Sequence, residues 1–169
     1  MIKNRIDVVT LGCSKNLVDS EMLMRQLLAN GYTVEHDPVD AQGEIAIINT
    51  CGFIGDAKEE SINMILSFAE QKKNRKLTKL FVMGCLSERY LEDLTVEIPE
   101  VDKFYGKFDW KSLIADLGKS YNQELSLERM LSTPSHYTYL KISEGCNRSC
   151  SYCSIPIITG KHQSRPIEE

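Results

Sequence analysis

The sequence predicts an α/β protein built on a doubly wound, mostly parallel sheet of five strands. Short, largely apolar runs at 6–11, 45–48 and 80–83 have the length and make-up of strands buried on both faces. Each run ends in a small or polar residue followed by a cysteine: Gly12-Cys13, Asn49-Thr50-Cys51-Gly52 and Gly84-Cys85. Stretches of helical periodicity separate the runs. Strand and helix in alternation, joined by right-handed crossovers, give a doubly wound sheet, for which we expect the flavodoxin-like strand order.

Taken in order, the strand at 6–11 leads into a helix over 17–30. Asn16 is its expected N-cap, Asp19 and Glu21 complement the positive end of the dipole, and Gly31 is the stop. A second strand over 32–36 ends at the turn Asp37-Pro38. After the strand at 45–48, Asp56 and Glu59 stand as in a capping box, opening a helix that buries Ile62, Ile65, Leu66 and Ala69. The strand at 80–83 is followed by a helix over 87–97 that stops before Pro99. A fifth strand over 101–105 and a helix burying Trp110, Leu113, Ile114 and Leu117 before Gly118 complete a first domain, 1–118. A polar linker follows at 119–135, and 137–142 reads as the first strand of a second domain, 136–169.

Composition narrows the function classes. A chain of 169 residues with net charge -4 is ordinary for a globular protein and lacks the overall basic footprint of a nucleic-acid binder. Residues 1–9 carry charges and no long apolar run, so neither a signal peptide nor a membrane span opens the chain. The expected location is therefore cytoplasmic, where six cysteines are metal ligands or catalysts rather than disulfides.

In an open parallel sheet the loops after the carboxyl ends of the strands gather on one edge, and ligands bind where strand order reverses. Cys13, Cys51 and Cys85 each occupy that position, so they are expected to converge into a metal site. The plainer alternative is three small buried residues, since free cysteine often serves as core. The remaining cysteines form a compact set, Glu144-Gly145-Cys146-Asn147-Arg148-Ser149-Cys150-Ser151-Tyr152-Cys153. A short loop returns each sulfur toward one point, and thiolates suit zinc or iron-sulfur centres, for which four protein ligands are usual. Three ligands leave a coordination position open; the alternative is a zinc knuckle or a disulfide-prone loop.

That spacing, with an aromatic residue before the last cysteine, resembles the signature of the radical S-adenosylmethionine (SAM) enzymes. The resemblance implies that Cys146, Cys150 and Cys153 hold a 4Fe-4S cluster whose remaining iron is chelated by SAM, with Tyr152 beside the cofactor. Leu11-Gly12-Cys13-Ser14-Lys15-Asn16-Leu17-Val18-Asp19-Ser20-Glu21, Asn49-Thr50-Cys51-Gly52-Phe53-Ile54 and Gly84-Cys85-Leu86 are similar to the amino-terminal domain of the methylthiotransferases. Together the two matches extend over nearly the whole chain. They imply a second 4Fe-4S cluster on Cys13, Cys51 and Cys85 that binds the sulfur to be inserted, an electron donor, and a second SAM as methyl source. One branch of the family modifies a transfer RNA adenosine and has a Tyr-Gly-Cys-Gln-Met-Asn context. The other modifies the β-carbon of an aspartate on a small-subunit ribosomal protein and has the version present here.

The family reading leaves as alternatives the transfer RNA activity and a non-enzymatic metal-binding module. It also implies that both clusters lie near each other, with the strand-end edge facing the radical domain. Asn16, Asn49 and Thr50 are candidates for hydrogen bonds to cluster sulfides, or for turn and capping work. Lys72, Lys73, Arg75, Lys76 and Lys79 offer a possible contact to ribosomal RNA, or a solvated helix end. Lys161 and Arg165 are candidate contacts to cofactor or substrate. His36, His136 and His162 lack metal-like spacing, and Trp110 reads as a core anchor. A β/α barrel needs on the order of 200 residues, far more than 136–169 supplies. The chain is thus expected to be a fragment that folds its first domain, leaves 135–169 poorly packed or borrowed by a neighbouring molecule, and does not turn over alone.

Overall fold

The structure, a computed structural model, describes residues 1–167. Its first part is a five-stranded parallel sheet in the order β2-β1-β3-β4-β5, formed by β1 (Ile2–Thr10), β2 (Thr33–His36), β3 (Gly43–Thr50), β4 (Lys79–Gly84) and β5 (Lys103–Phe104). Helices α1 (Ser14–Ala29), α2 (Gly55–Lys73), α3 (Cys85–Glu97) and α4 (Trp110–Asp116) alternate with them. This is the expected doubly wound order, with its reversal between β1 and β3.

Pleating sends alternate residues to opposite faces. Ile6, Val8, Ile45, Ile47, Phe81 and Met83 form one core with Leu23, Leu27, Leu113 and Ile114 of α1 and α4. Val9, Ala46, Ile48, Leu80 and Val82 form the other with Ile65 and Phe68 of α2 and Leu86 and Leu94 of α3. Each fully buried Leu or Ile contributes about 1.5–3 kcal/mol relative to leaving it exposed. Asp7 is the charged exception inside β1. Its carboxylate accepts 2.7 Å hydrogen bonds from the backbone amides of Gln42 and Gly43 and from Arg5 Nε, which pins the β1–β3 pairing beside the irregularity between Ile2 and Ile6.

Several local expectations give way to tertiary demand. Helix α1 begins at Ser14 with Cys13 as a cap that makes no side-chain bond. Asn16, the expected cap, is buried and donates to the carbonyls of Leu11 and Thr50, 3.0 Å each. Asp19 and Glu21 are buried ion-pair partners of residues far along the chain rather than solvated helpers of the dipole. Helix α2 starts from Ile54 without a side-chain cap, so the capping box at Asp56 and Glu59 does not form. Its buried stripe is Ser61, Ile65, Phe68 and Ala69, leaving Ile62 and Leu66 exposed. The Ser61 hydroxyl accepts from Cys51 N–H and donates to Cys51 C=O, and this rotates the helix about its axis.

Residues 119–135 run back along α1. Gln26 exchanges hydrogen bonds with the backbone of Asn122, and the Glu21 carboxylate accepts from Ser132 N–H and Oγ and from Arg129. The strand expected over 137–142 does not form, since no neighbouring strand offers an edge there among the described residues. A short antiparallel pair instead joins β6 (Ser143–Glu144) to β7 (Gln163–Ser164), with α5 (Ile155–Thr159) between them. Leu140 and Ile142 remain exposed. The stretch is nonetheless tied to α1 by ion pairs from Lys141 to Asp19 and from Glu144 to Lys15. No helix among the described residues is long and apolar enough to cross a membrane.

Candidate metal centre

The register of the three central strands levels their carboxyl ends. Thr10 pairs with Asn49, and Thr50 pairs with Gly84. Cys13, Cys51 and Cys85 follow those ends and line one cleft of about 840 Å³. The turns that put them there depend on glycine. Gly12 (φ +91°) and Gly84 (φ +106°) adopt left-handed backbone, and a Cβ on Gly12 would fall 2.8 Å from Cys51 Sγ.

A buried polar lattice holds these loops. Besides the bonds from Asn16, Asn49 Nδ2 donates to Asn16 C=O and to Ser20 Oγ at 3.0 Å. The Thr50 hydroxyl donates to Met83 C=O at 2.6 Å. Asn16 Oδ1 lies 3.6 Å from Cys85 Sγ. Of the three polar residues expected beside the cysteines, Asn16 alone touches a thiol; Asn49 binds α1 and Thr50 binds β4.

Lys107 completes the wall. Its Nζ lies 3.0 Å from Asp19 Oδ2, 3.4 Å from Asn16 Oδ1 and 3.7 Å from Cys85 Sγ. Burial works against its charge, but Asp19, Cys85 and Glu144 outweigh it and raise the pKa, so the ammonium stays charged. Burial pushes the Cys85 thiol up; Lys107 pulls it back, while negative charge on Cys51 and Cys13 pushes it further up. Sequence reasoning missed Lys107. The signal was topological, because Gly106-Lys107 follows β5 on the same sheet edge as the cysteines.

The opposite wall comes from the carboxyl-terminal stretch, through Glu144, Ile155, Ile158 and Thr159. The strand-end edge thus faces the segment that carries the second triad. Cys146 N–H donates to Gly160 C=O at 3.0 Å, and Cys153 N–H to Cys150 C=O at 3.1 Å. These bonds fold the loop so that the stretch containing Cys146, Cys150 and Cys153 turns back on itself. All six cysteines are free, and none of the second three lines the first cleft. Tyr152 is 90% exposed.

Neither triad is already closed into metal-binding geometry among the described residues. Its donor chemistry fits a soft metal centre all the same: three free thiols share one cleft, backed by a fixed cation that offsets the charge of thiolate ligands. Elsewhere, Lys72 and Lys73 of the basic run pair with Asp102 and Glu100. Lys161 and Arg165 line a second cleft of about 470 Å³ with Asp19, Lys141 and Glu144. His36 bonds Thr10, His162 bonds Ser164, and His136 packs edge-on against Tyr137. Trp110 is half-buried against the core and donates to Lys107 C=O.

The chain is similar to known proteins along its whole length. The chain is 71% identical over 169 residues to the ribosomal protein uS12 methylthiotransferase RimO of Parabacteroides distasonis, covering 100% of this chain and 39% of that protein. It is 72% identical to the protein of the same name from Phocaeicola vulgatus, with the same coverage. Against that of Flavobacterium johnsoniae it is 54% identical over 168 residues, 99% of this chain and 38% of the relative. The chain therefore spans about two fifths of the length of the curated relatives it matches. The profile of uncharacterized protein family UPF0004 matches residues 5–106, which hold the sheet except for the first three residues of β1, together with the first three cysteines, and the chain belongs to that family.

Proposed function

We propose that the full protein is a methylthiotransferase that inserts a methylthio group at the β-carbon of an aspartate of ribosomal protein uS12. The observation that carries this is the gathering of Cys13, Cys51 and Cys85 on one cleft whose other wall belongs to the segment bearing Cys146, Cys150 and Cys153. The naming of close relatives supports the substrate.

In this reading Cys13, Cys51 and Cys85 hold one 4Fe-4S cluster, and Cys146, Cys150 and Cys153 hold the other. When bound, the clusters and SAM supply radical hydrogen abstraction, the sulfur atom and the methyl group, chemistry beyond protein acids and bases. The chain's own residues prepare the ground. Asn16 and Ser61 fix the loops that present the thiols, Lys107 offsets their charge, and Phe53, Ile54, Ile155 and Ile158 line the cleft with apolar surface that limits water. Tyr152 stands beside SAM, an external reductant supplies electrons, and the basic run over 72–79 contacts ribosomal RNA. The enzyme works in the cytoplasm, where its ribosomal substrate is.

The test offers reconstituted full-length enzyme, SAM and reductant either a uS12 peptide or transfer RNA, and follows mass. A methylthio gain on the peptide aspartate is expected. Gain on the nucleic acid alone moves the activity to the other branch, and no gain on either, with zinc in the protein, identifies a metal-binding module.

A further inference from the structure

The thiol cleft contains a group that ligation alone does not require. The Lys107 side chain is 3% exposed, and an ammonium so buried is costly unless paired. Its carboxylate partner, Asp19, is shared: Oδ2 accepts from Lys107 at 3.0 Å and Oδ1 from Lys141 at 2.6 Å. Lys141 also pairs with Glu144, which faces Lys15 at 3.7 Å. Half-exposed Lys15 aside, two buried ammonium groups, Lys107 and Lys141, thus meet two carboxylates, and Lys107 is the cation of this network that reaches the thiols. Cys85 Sγ, 3.7 Å from Lys107 Nζ, is the sulfur beside it. Asp56 and Glu60 also line the cleft, but both are exposed to solvent, where water and salt screen them.

A centre ligated by thiolates is anionic and gains a further negative charge on reduction, and charge and hydrogen bonds at its sulfurs set its potential. We propose that Lys107 is a positioning residue for redox poise: held by Asp19, it stabilises the reduced form of the centre through Cys85. This rests on the reading of Cys13, Cys51 and Cys85 as ligands. Asp19 has two opposed effects, anchoring the cation and partly cancelling it. Lys141 joins the network from the carboxyl-terminal stretch, so seating of that stretch feeds into the charge felt at Cys85.

The experiment uses full-length protein carrying Cys146→Ala, Cys150→Ala and Cys153→Ala, so that only the first centre forms. After anaerobic reconstitution, iron is counted and the centre is titrated with reductant under electron paramagnetic resonance. Lys107→Met is expected to shift the reduction equilibrium at least tenfold toward the oxidised form, a potential lower by about 59 mV for a one-electron couple. Lys107→Arg restores most of it, and Asp19→Asn moves the potential the other way. A lysine that merely fills space would give Lys107→Met and Asp19→Asn the same kind of defect, iron loss without opposite shifts, and that result overturns the proposal. An unchanged potential in Lys107→Met with full iron overturns it too, while leaving the ligand assignment standing. If the parent binds no iron, or its iron survives Cys85→Ala, the ligand assignment itself fails and the proposal with it.

Discussion

Gly12→Ala probes the strand-end site at its tightest point. With φ at +91°, an alanine at this position meets a left-handed penalty of about 1–2 kcal/mol. Its Cβ would also lie 2.5 Å from Cys51 Cβ and 2.8 Å from Cys51 Sγ, closer than side chains approach. Overpacking of that kind costs about 1–3 kcal/mol. The sum, about 2–5 kcal/mol, is less than or comparable to the 5–15 kcal/mol that holds a typical domain. The variant is therefore expected to fold with a lowered Tm and with Cys51 pushed away from Cys13 and Cys85. Thermal unfolding by circular dichroism and iron counting, in full-length protein lacking the second triad, read the two effects separately. A wild-type Tm would refute the strained turn, and a lowered Tm with full iron would refute Cys51 as a ligand.

Other outcomes follow from the same structure. Asp7→Ala strips three hydrogen bonds from a fully buried position and leaves Arg5 without its closest partner; a loss of about 3–5 kcal/mol is expected in urea unfolding. Glu21→Ala releases Ser132 and Arg129, so limited proteolysis should cut within 119–135 faster while the sheet stays resistant. Burial first, and then the hydrogen bond to Asp116, keep the Tyr105 hydroxyl protonated well above its ordinary range. The unfolded chain ionises near pH 10 while the folded chain does not, so this contribution is intact below pH 10 and lost as pH rises beyond it. Tyr105→Phe should show a shallower alkaline loss of stability than the wild type, and equal slopes would contradict the assignment.

Strand order and the placing of Cys13, Cys51 and Cys85 along one cleft were legible because they follow from apolar runs and from the geometry of parallel sheets. Details that depend on distant partners were not. Asn16 reads as a helix cap until Leu11 and Thr50 present carbonyls that need its amide. Ile62 and Leu66 sit at good helical spacing, yet Ser61 is drawn inward by the backbone of Cys51 and turns them out. Asp19 looks like a dipole residue, and only the arrival of Lys107 and Lys141 from far along the chain makes a buried position tolerable. The stretch over 137–142 has strand-like composition but, among the described residues, no strand to pair with. Composition signals a strand; a neighbour makes one.

Iron counted per chain after anaerobic reconstitution of the full-length protein, with each cysteine triad replaced in turn, bears most directly on the two-centre assignment. About eight irons are expected in the wild type, falling to about four when either Cys13, Cys51 and Cys85 or Cys146, Cys150 and Cys153 become alanine. A colourless protein containing zinc, or an iron count indifferent to loss of the first triad, would contradict it.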